Sequence, residues 1–339
     1  MRESTKQNLR LVIRIVALAV LASAVYGYFV GEDNWLSAFR GAVKGSLIAV
    51  PLVVFEVLVM PGPIGAPIRG LPFVAHIGVK SLIYLTMILA GLMGGSRLLP
   101  SDLDHAGIVF GVTAADLAFS FALVFVGNFI MAISQLLGPN VLLAFVTGRY
   151  HQPRIERRLL LFIDMKDSTA AAERIGPLQF HRLLNRYYRD LGKVIVDHRG
   201  QIHKYVGDEM IVTWRAEDGR SEERCVEAVL EARRLLSAAA PFYQRGFGLA
   251  PQFRAALHVG EVVSGEMGDV RKEIVLLGDP MNTAARIMDA CRETGEDFLI
   301  SGPVADRLAA IARIPLKPVA HLPLRGKSEP LSLYALGVP

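Results

Sequence analysis

The chain is poor in cysteine: Cys225 and Cys291 are the only two, and neither has a partner at metal-ligand spacing. That excludes a disulfide framework and a clustered-thiolate zinc site. No Ser-His-Asp pattern is present to supply a covalent nucleophile. Nor is there an aromatic-interleaved basic stripe, so the net charge of +5 and the isoelectric point near 9.2 do not indicate nucleic acid. The lysines and arginines instead flank apolar runs or alternate with acids on helices. The first apolar stretch lacks a small-residue cleavage pattern and continues to Phe29 and Val30, so it is read as a retained anchor.

Long hydrophobic runs are what the chain has in excess. Its 339 residues are 52% hydrophobic, with a mean hydropathy of +0.37, too apolar for a wholly soluble protein of this length. The excess falls before about residue 150, in four stretches near 9–30, 38–60, 71–95 and 106–133. Each is long enough to cross roughly 30 Å of hydrocarbon as a helix. An all-α transmembrane domain with four helices is therefore expected over 1–133. A juxtamembrane coupling linker is expected over 134–158 and a catalytic domain over 159–339. Arg2, Lys6 and Arg10 precede the first span, and Arg149, Arg154, Arg157 and Arg158 follow the last, which places both termini in the cytoplasm of a multi-pass cell-membrane protein. Glu56, His76, Lys80, Asp116 and Asn128 interrupt the spans. Glu56 and Asp116 are the deepest, candidates for sensing or for helix-to-helix hydrogen bonds. What ligand or partner the membrane domain senses is not legible.

Beyond residue 158 the apolar period alternates between strand and helix. Strands are expected at 159–164, 201–206, 209–214, 252–259 and 273–277, and helices near 177–198, 222–243 and 280–292. This order predicts an α+β fold with helices on one face of a mainly antiparallel sheet. Two aspartates stand at strand ends: Asp164 in Leu161-Phe-Ile-Asp-Met-Lys-Asp-Ser-Thr169 and Asp208 in His203-Lys-Tyr-Val-Gly-Asp-Glu-Met210. Acids so placed can share divalent metals, and two metals clamp the attacking and leaving oxygens of a phosphoryl transfer. Residues Met165 to Thr169 then turn into a helix whose free N–H groups would face a polyphosphate. Asp167 and Glu209 are the nearest rival acids. Taken singly, Asp164 also reads as a helix cap and Asp208 as a hairpin residue.

Three segments together resemble the class III nucleotidyl cyclases, the adenylate and guanylate cyclase family: Phe162-Ile-Asp-Met-Lys-Asp-Ser-Thr169, Lys204-Tyr-Val-Gly-Asp208 and Gly278-Asp-Pro-Met-Asn-Thr-Ala-Ala-Arg286. The resemblance covers 159–339 and implies a ferredoxin-like catalytic domain. It also implies two Mg²⁺ or Mn²⁺ ions on Asp164, Asp208 and the Met165 carbonyl, an Asn282 that orients the ribose, and an Arg286 that stabilises charge at the α-phosphate. Arg254 and Arg325 match triphosphate contacts, with Lys327 a rival for the latter. Lys204 matches the lysine that reads adenine, which favours ATP. Val275, seven residues before Asn282, stands where adenylate cyclases usually carry Asp, Thr or Ser. Its side chain cannot hydrogen-bond an exocyclic amine, leaving Glu273 or a backbone carbonyl as substitutes. The family splits each site between subunits, so the resemblance implies a homodimer with two equivalent sites. Val206-Gly-Asp-Glu-Met210 also has the look of a diguanylate cyclase hairpin. Against that stands Asp164, which is followed by Met-Lys-Asp-Ser-Thr and not by an Asp-x-x-Phe-Lys continuation.

Overall fold

The computed structural model describes residues 3–30, 34–60, 62–99, 114–137, 144, 147–216, 220–270, 272–311, 315–322 and 330–336. It forms two compact units, essentially Thr5–Leu137 and Gly138–Pro339.

Among the described residues the regular structure of the first unit is all helical, which suits long apolar segments in lipid because helices satisfy their own N–H and C=O groups. It contains α1 (Glu3–Val30), α2 (Asn34–Val54), the short α3 (Ala66–Arg69), α4 (Phe73–Leu98) and α5 (Ala114–Leu137). Three helical stretches, Val12–Val30, Asn34–Val59 and Gly78–Leu98, are long and apolar enough to cross a membrane, and Ala114–Val126 is a shorter apolar stretch. The start of the expected fourth span, 106–113, lies outside the described residues. Small residues set the closest approaches. A Cβ on Gly27 would come within 2.3 Å of the Ser37 carbonyl oxygen, and one on Gly41 within 2.2 Å of the Ser23 carbonyl oxygen, so α1 and α2 touch backbone to backbone. On its other side α2 packs Ile48 and Leu52 against Tyr84, Ile88 and Leu92 of α4.

At its end α2 widens into a π-helical turn, Phe55–Val59, closed by a 2.8 Å bond from Met60 N–H to the Phe55 carbonyl. Glu56 lies in this turn. Its carboxylate pairs with Lys80 and accepts the Tyr84 hydroxyl, both from α4. Paired this way, the acid is tolerable at membrane depth.

The second unit is built on an eight-stranded mixed sheet. Its strands are β1 (Arg154–Met165), β2 (Gln201–Val206), β3 (Glu209–Arg215), β4 (Phe253–Met267), β5 (Glu273–Leu277), β6 (Phe298–Ser301), β7 (Leu316–Leu322) and β8 (Leu331–Leu336). They lie in the order β2-β3-β1-β4-β6-β8-β7, and β5 pairs the far end of β4. All pairings are antiparallel except that of β4 with β6. The helices are α6 (Ser168–Ile175), α7 (Pro177–Asp197), α8 (Ser221–Phe247), α9 (Asp279–Thr294) and α10 (Gly302–Ile311).

The expectation that helices cover one face needs correction. Leu159, Leu161 and Ile163 of β1 pack under α7, α8 and α10, while Leu160 and Phe162 pack under α9 on the opposite face. A strand covered on both sides reads as a continuous apolar run, not an alternation. The periodicity of β1 therefore already carried the two-sided burial. Each of these fully buried side chains contributes about 1.5–3 kcal/mol of apolar transfer, which makes β1 the stiff axis of the domain.

Candidate active site

Asp164 is the last polar position of β1 before the chain turns, and it is buried despite its charge. Its cross-strand neighbours are Glu209 on β3 and Arg254 on β4. A strand pairing on both edges thus sets an acid and an arginine beside it on one face of the sheet. Met165 follows, buried, and the chain leaves the sheet through Lys166 and Asp167. Lys166 N–H donates to the Gln252 carbonyl at 2.9 Å, and Asp167 takes a left-handed conformation with φ of 53° to start α6. Thr169 lies exposed in the first turn of that helix.

Asp208 occupies the two-residue turn of the β2–β3 hairpin, where Val206 pairs with Glu209. Gly207 supplies the positive φ, 62°, that the first position of a type II′ turn needs. Tyr188 of α7 fixes the turn from outside: its hydroxyl donates to the Gly207 carbonyl at 2.8 Å and its ring packs on Tyr205. Sequence reasoning missed this tyrosine, because a tyrosine on an amphipathic helix carries no sign of where its hydroxyl points.

The hairpin brings the Asp208 carboxyl against Asp164. Burial raises the Asp164 carboxyl above its ordinary range; the hydrogen bond from Arg292 opposes this, and the charge of Asp208 adds to it. Glu209 is pushed up to about 7, first by burial and then by Asp164, with Arg292 opposing and Asp208 and Asp289 adding. Three carboxyl groups thus crowd this end of the sheet, and Arg292 is the cation hydrogen-bonded to Asp164 among them. Among the described residues no group of three or more His, Cys, Asp or Glu side chains forms a ready-made metal cage. That donor set, two adjacent carboxylates and a backbone carbonyl, suits magnesium or manganese, which are commonly held by one or two carboxylates with substrate phosphates and water completing the shell.

A second group of expected residues stands elsewhere. Lys204 on β2 reaches Glu273 on β5, Nζ to Oε2 at 3.2 Å. Val275 follows two residues later on the same strand, half-buried, and so shares its face. Asn282 and Arg286 lie one turn apart near the start of α9, the asparagine exposed and the arginine half-buried. Arg325 and its rival Lys327 lie outside the described residues. The structure therefore gathers Asp164, Met165, Asp208, Glu209 and Arg254 into one constellation, and Lys204 with Glu273 and Val275 into another. Arg292, which touches Asp164, was also missed, because a basic residue in the last turn of a helix reads as an ordinary macrodipole partner.

The sheet thus sets acids at the end of its central strand and in the adjoining hairpin. The model of the adenylate and guanylate cyclase catalytic domain matches residues 151–336, and the chain belongs to that family, the class III nucleotidyl cyclases. Adenylate cyclase 2 of Rhizobium meliloti (strain 1021) is 29% identical over 303 residues, covering 87% of this chain and 82% of that protein, so the likeness reaches into the membrane half. Adenylate cyclase of Anabaena cylindrica is 28% identical over 188 residues, 52% of this chain and 36% of that one. Among solved structures, the adenylyl cyclase CyaB from P. aeruginosa shares the fold with a TM-score of 0.50 at 21% identity, covering 56% of this chain and 97% of that one. A bacterial light-regulated adenylyl cyclase shares it with a TM-score of 0.56 at 16% identity, covering 66% and 65%.

Proposed function

We propose that this protein is a membrane-bound adenylate cyclase that converts ATP to 3′,5′-cyclic AMP and pyrophosphate. The observation that carries the reading is the convergence of Asp164 and Asp208 with Arg254 across one sheet, in a chain similar over most of its length to a protein named adenylate cyclase. Asp164, Asp208 and the Met165 carbonyl would hold two divalent ions, which when bound acidify the ribose 3′-hydroxyl and neutralise the triphosphate. Arg254, Arg325 and the N–H groups leading to Thr169 take the polyphosphate oxygens. Asn282 orients the ribose and Arg286 balances charge growing at the α-phosphate. The 3′-oxygen then attacks the α-phosphorus in line, its proton passes to solvent, and pyrophosphate leaves.

Lys204 would donate to adenine N1, and its hydrogen-bond partner Glu273 is the candidate to accept from the exocyclic amine that Val275 cannot address. The family draws its metal aspartates from one subunit and its lysine, asparagine and arginine from the other; carried over to Asp164 and Asp208 and to Lys204, Asn282 and Arg286, this makes the functional unit a homodimer whose sites each draw on both protomers. Three apolar helical stretches before residue 138 support a multi-pass position in the cell membrane; the basic residues that flank the apolar runs favour a cytoplasmic N-terminus and catalytic domain, with an unidentified signal passing through 134–158. A guanylate or weakly selective cyclase is the second reading, favoured only by Val275.

The test is product formation by purified full-length protein with ATP and GTP in parallel, under Mg²⁺ and Mn²⁺, with Asp208→Asn as control. Cyclic AMP lost in the variant is expected. Cyclic GMP would overturn the base assignment, and undiminished turnover by Asp208→Asn would overturn the metal site. Mixing Asp208→Asn with Asn282→Ala should restore activity through one intact site per heterodimer; no recovery would sink the shared-site arrangement.

A further inference from the structure

The reading above leaves Arg292, the cation that hydrogen-bonds Asp164, without a role. Arg292 lies in the last turn of α9; its Nη2 donates to Asp164 Oδ2 at 2.9 Å and its Nη1 to Asp289 Oδ1 at 2.8 Å. The two ends of this contact differ in access: the Asp164 side chain is 9% exposed and that of Arg292 49%. The guanidinium therefore approaches from the solvent side, while Ile287, Met288 and Cys291 hold α9 on the sheet through its other face. Arg292 can leave Asp164 by side-chain rotation without unpacking the helix. Asp289, 62% exposed, is a second anion one turn away that keeps hold of the other branch.

We propose that Arg292 is a displaceable counter-cation on the metal-ligating carboxylate. It neutralises Asp164 when no divalent ion is bound, yields Oδ2 as an ion binds, and so sets the cation concentration at which the site fills. The inference rests on the assignment of Asp164 as a metal ligand. Its physical basis is competition for one carboxylate: the oxygen that accepts Nη2 has less of its charge to offer a divalent ion, and a guanidinium beside that ion is repelled by it. Arg254 stands across the strand from Asp164 in the sheet register, whereas Arg292 is the cation hydrogen-bonded to it.

The experiment is Mn²⁺ binding to full-length protein without nucleotide, followed by electron paramagnetic resonance, for wild type, Arg292→Ala, Arg292→Lys and Asp164→Asn. Arg292→Ala should bind about three- to fivefold more tightly, the range a half-exposed ion pair can supply, with Arg292→Lys nearer wild type. Asp164→Asn should lose the site. Unchanged or weaker binding by Arg292→Ala, with the site lost in Asp164→Asn, overturns the counter-cation while the metal assignment stands. Undiminished binding by Asp164→Asn overturns the assignment itself. Thermal melting gives a readout independent of affinity. Metal-free Arg292→Ala should melt below wild type, and saturating Mn²⁺ should close the gap, because the ion replaces the lost cation. A gap that persists under saturating Mn²⁺ would mean that Arg292 only holds the fold, and the proposal would fail.

Discussion

In the membrane half, the side chains that face outward include Phe29, Trp35 and Leu18, 79%, 81% and 67% exposed, while close helix contacts run through Gly27, Gly41 and Ser23. The cyclase half inverts this. Leu159, Leu160, Leu161 and Ile163 are wholly buried, and charge lies at the rim or in paired clusters. The difference follows from the solvent each half is built for. In water, large apolar side chains gain by leaving the solvent; in lipid they gain nothing by it, so association falls to close backbone approach and part-buried polar pairs such as Glu56 with Lys80. One chain thus carries two opposite packing rules.

Truncation and overfilling should therefore injure the halves differently. Leu161→Ala leaves a cavity under α7 and α8 and should cost the cyclase domain about 2–5 kcal/mol in denaturant unfolding. Gly41→Leu places carbon atoms where the Ser23 backbone already stands, and should loosen the α1–α2 pair by about 1–3 kcal/mol in detergent unfolding, with cyclase circular dichroism unchanged. Equal tolerance of both substitutions would break the comparison. The same contrast sharpens the polar sites, since an exposed pair is easier to rewrite than a buried one. Lys204 and Glu273 are both at least a third exposed. Lys204→Glu should leave folding intact while shifting the ratio of kcat/KM for ATP over GTP about tenfold or more towards GTP, equivalent to about 1.4 kcal/mol. An unchanged ratio would show that Lys204 does not read the base.

How much of this was legible varied with how local each signal was. Asp164 and Asp208 stood out because each ends an apolar run, and runs are visible without knowing what pairs with what. The neighbours of Asp164 were not visible in this way: Arg254 and Glu209 lie beside it only through the register of two strand pairs. Strand β6 spans four residues, β7 is interrupted by Pro318, and α10 follows β6 without a loop; such short elements repeat their period too few times to stand out, so 298–311, 316–322 and 331–336 went unassigned. Arg292 was hidden for another reason. Its partner is 128 residues away in sequence.

The smallest expected effect concerns the segment that enters the cyclase domain. Glu156 accepts hydrogen bonds from Arg158 at 2.6 Å and Ser264 at 3.1 Å, and Arg158, nearly buried, also donates to the Tyr150 hydroxyl at 3.2 Å and to Gln201 at 3.3 Å. Burial pushes the Glu156 carboxyl up, but the hydrogen bond and charge of Arg158, Ser264 and the charge of Arg215 outweigh it and hold the group below its ordinary 4.5. The folded state thus binds fewer protons than the unfolded chain in the window below 4.5. Its contribution is complete above that value and is lost as pH falls through the folded one. Glu156→Gln keeps an oxygen for Arg158 but loses the charge, and Tyr150 and Gln201 still accept from that arginine. The cost at neutral pH should therefore be about 1 kcal/mol, read from the melting temperature. Below pH 4.5 the gap between variant and wild type should narrow; a gap independent of pH would show that Glu156 contributes shape and not charge.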